Sequence, residues 1–191
     1  MKPAFAAAAV ALMVIAAPAL ATASLKVTSI VQLSELPTPL PYPYDEKANA
    51  NAQVDAALAA AKAQHKLAFI DLGGNWCGDC RVLASLMELP EVKRFMDAHY
   101  VAVQVDVGRF SKNLQVPARW GITTRLEGVP AVLIVDPKSN ALINKGHIAA
   151  LADARHMTPQ AIGDWLAQWA RDLPAKAHDK IISARVRGAR R

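Results

Sequence analysis

The run Trp76-Cys77-Gly78-Asp79-Cys80 constrains this chain more than any other feature, because Cys77 and Cys80 are its 2 cysteines and stand only three positions apart. A disulfide stabilises a fold chiefly by closing a long loop of the unfolded chain, and cysteines this close together close almost none. A structural staple is therefore a poor account of the pair. A zinc site would need two further Cys or His ligands at compact spacing. His65, His99, His147, His156 and His178 are scattered, with no such spacing. No metal and no other cofactor is expected.

The flanks give the pair its context. Residues 66–72 form a short apolar run closed by Gly73-Gly74, which reads as a buried strand with a flexible exit. Past the cysteines, residues 81–89 read as a helix with Val82, Leu83, Leu86 and Met87 on its apolar side; Pro90 interrupts it, and residues 91–99 resume helically. At the start of a helix, Cys77 would meet unpaired backbone N–H groups and the helix dipole, which stabilise a thiolate. Cys80, one turn further in, is close enough to close a disulfide and more shielded. Thiol–disulfide exchange needs an attacking thiolate and a second thiol to resolve the mixed disulfide. A CxxC between a strand exit and a helix start meets that need.

The remaining pattern alternates. Residues 46–65 read as an alanine-rich amphipathic helix carrying Val54 and Leu58. Residues 100–105 form a second strand ending at Asp106, and a connecting segment then runs past Pro117 to Trp120-Gly121-Ile122. Residues 131–135 are a third strand, 136–140 a turn, and 141–145 a fourth strand ended by Gly146. Thr158 caps a last helix with Pro159 at its first position and Ile162, Trp165, Leu166 and Trp169 on one face. Ahead of all this, residues 25–33 alternate loosely as a short strand. Pro37, Pro39, Pro41 and Pro43 then impose an extended arm bearing Tyr42 and Tyr44, a strap packed on the domain. A chain of 191 residues accommodates one such domain and is thin for two.

The first residues have a different purpose. Lys2 gives a positive start, residues 4–17 are apolar, Pro18 breaks the run, and Ala21-Thr22-Ala23 offers small residues for cleavage. This is the three-part pattern of a secretory signal peptide over residues 1–23. A soluble periplasmic or secreted protein, with no stable membrane insertion after cleavage, is expected. The formal charge of +6 is no nucleic-acid signal. Basic and acidic residues balance over 24–170, and the excess lies in Lys2 and a basic tail that runs over 173–191 with Arg171 just ahead of it.

These residues together resemble the thioredoxin family. Residues 69–81, with Asp71 six positions before Cys77, look like its strand and active-site loop, and Gly128-Val129-Pro130-Ala131 looks like its cis-proline loop. The resemblance implies an α/β thioredoxin fold over residues 46–172, a central mixed β-sheet flanked by helices, with residues 24–45 as an N-terminal extension. It assigns Cys77 as the exposed nucleophile, Cys80 as the resolving thiol, and Asp71 as the buried acid that takes the resolving proton. Trp76, Val129 and Pro130 would bind substrate, with the Val129 backbone exposed for strand-like pairing. Gly78 and Asp79 would tune the redox couple.

Two departures accompany the resemblance. Asp79 stands where the family usually has proline, and a carboxylate near Cys77 disfavours its thiolate, which makes the couple less oxidising. Ala102 stands where many members place a lysine beside the buried acid. The implied function is a thiol–disulfide oxidoreductase acting on protein disulfides. A reductant or electron relay, recharged by a redox partner protein, is favoured over an oxidant or isomerase, since no histidine lies between the cysteines. A binding or chaperone-like module without turnover is the alternative of another class; both cysteines being present argues against it.

Overall fold

The computed structural model describes residues 23–170. The expected signal peptide, apart from Ala23, and the basic tail lie outside the described residues. The chain is built round strand β1 (Leu67–Gly73), whose seven residues are all buried. A strand apolar at nearly every position must be covered on both faces and have neighbours on both edges. Strand β2 (Tyr100–Asp106) runs parallel to it, with Leu67 opposite Tyr100 and Gly73 opposite Asp106. Strand β3 (Ala131–Asp136) pairs antiparallel on the other edge, with Leu72 opposite Ala131. A two-residue strand β4 (Ala141–Leu142) completes the order β2-β1-β3-β4.

Alternation along β1 and β3 divides the core in two. Leu67, Phe69, Val132 and Ile134 pack with Leu83, Leu86 and Val92, which come from helices α2 (Gly78–Met87) and α3 (Pro90–His99). Ile162 and Leu166 join them from a C-terminal helix (Pro159–Trp169). Ala68, Ile70, Leu133 and Val135 face the other way, against Val54, Ala57 and Ala61 of helix α1 (Ala50–Ala63). Each large side chain buried this way contributes roughly 1.5–3 kcal/mol.

The local signals account for most boundaries. Helix α1 starts at Ala50, later than the alanine pattern alone suggests, because Asn49 caps it by accepting the Ala52 N–H. Helix α2 starts earlier than expected, at Gly78, with Cys77 as its N-cap residue. The segment past Asp106 contains a short helix α4 (Gln115–Ala118), which makes Pro159–Trp169 helix α5, capped by Thr158 as read from the sequence.

Two strand expectations are corrected. No strand forms over residues 25–33; a 3-10 turn (Leu33–Glu35) ends that stretch. Side chains hold the extended part instead. The Gln160 amide bonds the N–H of Val27 and the carbonyl of Leu25, and Glu91 accepts the N–H groups of Thr28 and Ser29. Leu25, Ile30 and Leu36 are nonetheless buried in the core. The fourth strand stops at Leu142 because the buried Asn144 side chain takes over its pairing. That amide accepts from the Ile134 N–H at 2.9 Å and donates to the Val132 carbonyl at 2.8 Å.

Candidate active site

Strand β1 ends beside the N-terminus of α2, and the loop between them presents the cysteines. The Cys77 N–H donates to the Gly74 carbonyl, turning the chain into the helix. Cys77 then sits at the helix cap with extended backbone, and its sulfur accepts the Cys80 N–H at 3.1 Å. The two residues are joined as a disulfide with Cα atoms 5.3 Å apart. Cys80 is completely buried, whereas Cys77 keeps 5% of its surface in solvent. The Val129 carbonyl oxygen lies 3.4 Å from Cys77 Sγ, and the Val129–Pro130 peptide is cis. The structure thus brings Cys77, Cys80, Val129 and Pro130 together.

Asp71 is fully buried on β1. Burial pushes its carboxyl up to about 7, against the opposing effect of a hydrogen bond from Tyr44. The Tyr44 hydroxyl donates to Asp71 Oδ2 at 2.9 Å, and Oδ1 is buried with no hydrogen-bond partner among the described residues. A near-neutral carboxyl with one open oxygen can accept a proton and give it back under ordinary conditions.

Asp79 is not the bare carboxylate that the spacing suggested. It accepts the backbone N–H of Arg155 at 2.9 Å and its Nε at 3.1 Å, and pairs with the guanidinium again through Oδ2. The Arg155 side chain lies over Gly78, where a Cβ would come within 3.2 Å of it. The electrostatic effect of Asp79 on Cys77 is therefore that of a pair, with the negative charge offset by a half-exposed cation.

A family model described as thioredoxin-like matches residues 49–137. Among solved structures, a disulphide isomerase from Xylella fastidiosa Temecula1 is 37% identical, with a TM-score of 0.61 over 67% of this chain and 96% of that one. The chain belongs to the thioredoxin-like family. A protein of unknown function from Pseudomonas aeruginosa is 17% identical over 63% of this chain and 83% of that one; its TM-score of 0.35 carries no weight. No curated protein matches. With its CxxC pair, this thioredoxin-like protein is a thiol–disulfide oxidoreductase, and its substrates are protein thiols.

Trp76 was expected at this thioredoxin-like site, but several residues around it escaped the sequence reading. Trp76 is 42% exposed, with its indole N–H on the Gly108 carbonyl at 2.7 Å. Phe110 meets its ring edge-on, Arg109 lies over Trp76, and Arg125 lies over Phe110. Phe110 holds a φ of +65°, a costly backbone for an aromatic residue. Arg109, Phe110 and Arg125 lie in the unpatterned stretch between β2 and β3, where periodicity gives no signal. Tyr44 was visible only as an aromatic on a proline-rich arm. Ala102 is exposed and lies opposite Phe69 in the β1–β2 ladder, so the polar partner of Asp71 comes from the strap instead.

Proposed function

We propose that this protein reduces disulfides of other proteins, or relays electrons to them, in an oxidising compartment outside the cytoplasm. The signal-peptide pattern over residues 1–23 supports the compartment, and no helix among the described residues is long and apolar enough to cross a membrane. The observation that carries the direction is the lack of any net positive charge between the cysteines. Gly78 is neutral and Asp79 is paired with Arg155, which leaves the helix N-terminus and the Cys80 N–H as the stabilisers of a Cys77 thiolate. A thiolate stabilised no further than this gives a reducing rather than a strongly oxidising couple.

In that reaction Cys77 is the nucleophile, since it sits at the helix cap and is the cysteine that keeps some surface in solvent. It attacks a substrate disulfide, forms the mixed disulfide and expels the first substrate sulfur as a thiolate. The segment at Val129 and Pro130 lies beside the sulfur, so an extended substrate chain would pair with the Val129 backbone, with the exposed Trp76 ring as a further contact. Cys80 then attacks Cys77 Sγ, and the second substrate sulfur leaves with the electron pair. Asp71 takes the Cys80 proton. The internal disulfide left behind is reduced again by a redox partner protein.

The isomerase named among the solved structures is the second reading. Equilibration with glutathione separates the two. A reductant is expected nearer the thioredoxin value of about −270 mV than the isomerase value of about −180 mV. A potential at or above the isomerase value, with efficient rearrangement of a scrambled substrate, would replace the first reading by the second. Failure of the reduced protein to reduce any protein disulfide would point to a binding module.

A further inference from the structure

The proline-rich strap reaches into the redox centre at one residue. Tyr44 is buried, and its hydroxyl bonds Asp71. Gly73, two residues along the same face of β1, leaves the space that makes this possible. A Cβ there would stand 2.3 Å from Tyr44 Oη and 2.8 Å from Cys80 Sγ, so the hydroxyl and the resolving sulfur flank one small gap. The strap is also fastened at this point by the residues that present the cysteines. The Asn75 amide accepts the Tyr44 N–H at 3.1 Å and donates to the Tyr44 carbonyl at 2.8 Å. From α2, Arg81 donates to the carbonyls of Leu40 and Pro41 and stacks over the Tyr42 ring.

We infer that Tyr44 is the positioning residue for proton transfer out of Cys80: its hydroxyl fixes one oxygen of Asp71 and leaves the other to receive the thiol proton. The inference rests on Asp71 as the base. The step balances within the protein. The Cys80 proton passes to Asp71, the Cys80 electron pair forms the bond to Cys77 Sγ, and the bond from Cys77 to substrate breaks with its pair going to the substrate sulfur. Two protein thiols are oxidised and one substrate disulfide is reduced. Tyr44 donates to the carboxylate without dissociating, because burial and the neighbouring Asp71 drive its own ionisation far above the ordinary tyrosine range. It stabilises the carboxylate less than a lysine would, which suits an acid that must take up a proton and return it.

The test uses the full reduced chain and a nitrobenzoate disulfide, which releases one coloured thiolate when Cys77 attacks and a second when Cys80 resolves. Stopped-flow traces are recorded across pH for the wild type, Tyr44→Phe, Asn75→Ala and Asp71→Asn. In Tyr44→Phe the first release is unchanged, and the pH midpoint of the second moves alkaline by about 1–2 units, the size of a lost charge-assisted hydrogen bond. Asn75→Ala loosens Tyr44 without removing its hydroxyl and moves the midpoint the same way by less. Asp71→Asn abolishes the midpoint. A normal second release in Asp71→Asn would overturn the base itself. A lost midpoint in Asp71→Asn with an unmoved one in Tyr44→Phe would leave the base standing and overturn the assignment of Tyr44. A slower second release at every pH without a moved midpoint would also overturn it, since that is what loosened packing alone produces.

Discussion

The buried carboxyl of Asp71 is a cost to the fold, and the sign of that cost is fixed by its environment. Its carboxyl titrates near 7 in the folded protein and near 3.9 when unfolded, so the folded state holds more protons between those values. Stability therefore falls as pH rises through that window. Asp71→Asn in the oxidised protein should be more stable than wild type above pH 7, on the order of 2–4 kcal/mol, and the gain should fade toward pH 4. Thermal or urea unfolding at several pH values measures this, and a gain independent of pH would show that the carboxyl is not the cause. Asp79 acts through its partner. Asp79→Asn leaves the Arg155 cation over Gly78 without its counter-charge, so the couple should become more oxidising, by about 10–30 mV. The equilibrium with glutathione reads it, and a shift the other way would remove Asp79 from the tuning of Cys77.

Among the elements, those with a strong period were legible. β1, with every position apolar except Asp71 and Gly73, was placed to within a residue, and Thr158-Pro159 marked the start of α5. The two strand misses share one physical cause. In two places an extended segment satisfies its backbone against a side chain rather than a strand: residues 25–27 against Gln160 and β3 against Asn144. Periodicity cannot reveal a distant amide standing in for a backbone. Asn144→Ala removes both bonds and leaves the Ile134 N–H and Val132 carbonyl buried without partners, which should cost about 2–4 kcal/mol and show as a lower denaturant midpoint. The strap has a similar fastening in Glu91. Desolvation is the largest single influence and opposes its ionisation, but the Ser29 hydroxyl and the N–H groups of Ser29 and Thr28 together outweigh it and bring its carboxyl down to about 2. Its folded value is below its unfolded one, so the stabilisation is present above about pH 4.3 and is lost as pH falls toward 2. Glu91→Gln should be destabilised at neutral pH, and the deficit should close on acidification over that window.

Across the whole molecule, the charge is distributed more tellingly than its sum. Residues 24–170 are balanced, yet Arg109 and Arg125 gather around Trp76 and Phe110 beside the cysteines, while Arg155 is already paired with Asp79. Attack on an anionic disulfide should therefore slow as ionic strength rises, while attack on a neutral one should not. Equal salt dependence for both probes would leave these arginines without a steering role. The strap bears on how such proteins are compared. The match to the family model begins at residue 49, after Tyr44, so the hydroxyl that reaches the centre of the site comes from a part of the chain outside that model. Two proteins that match that model equally well can thus differ in how they move a proton, through a single residue contributed from outside its span. With Tyr44 in the proposed role, a chain that started at residue 49 would keep the sheet and both cysteines and lose the hydroxyl that sets how the buried acid titrates.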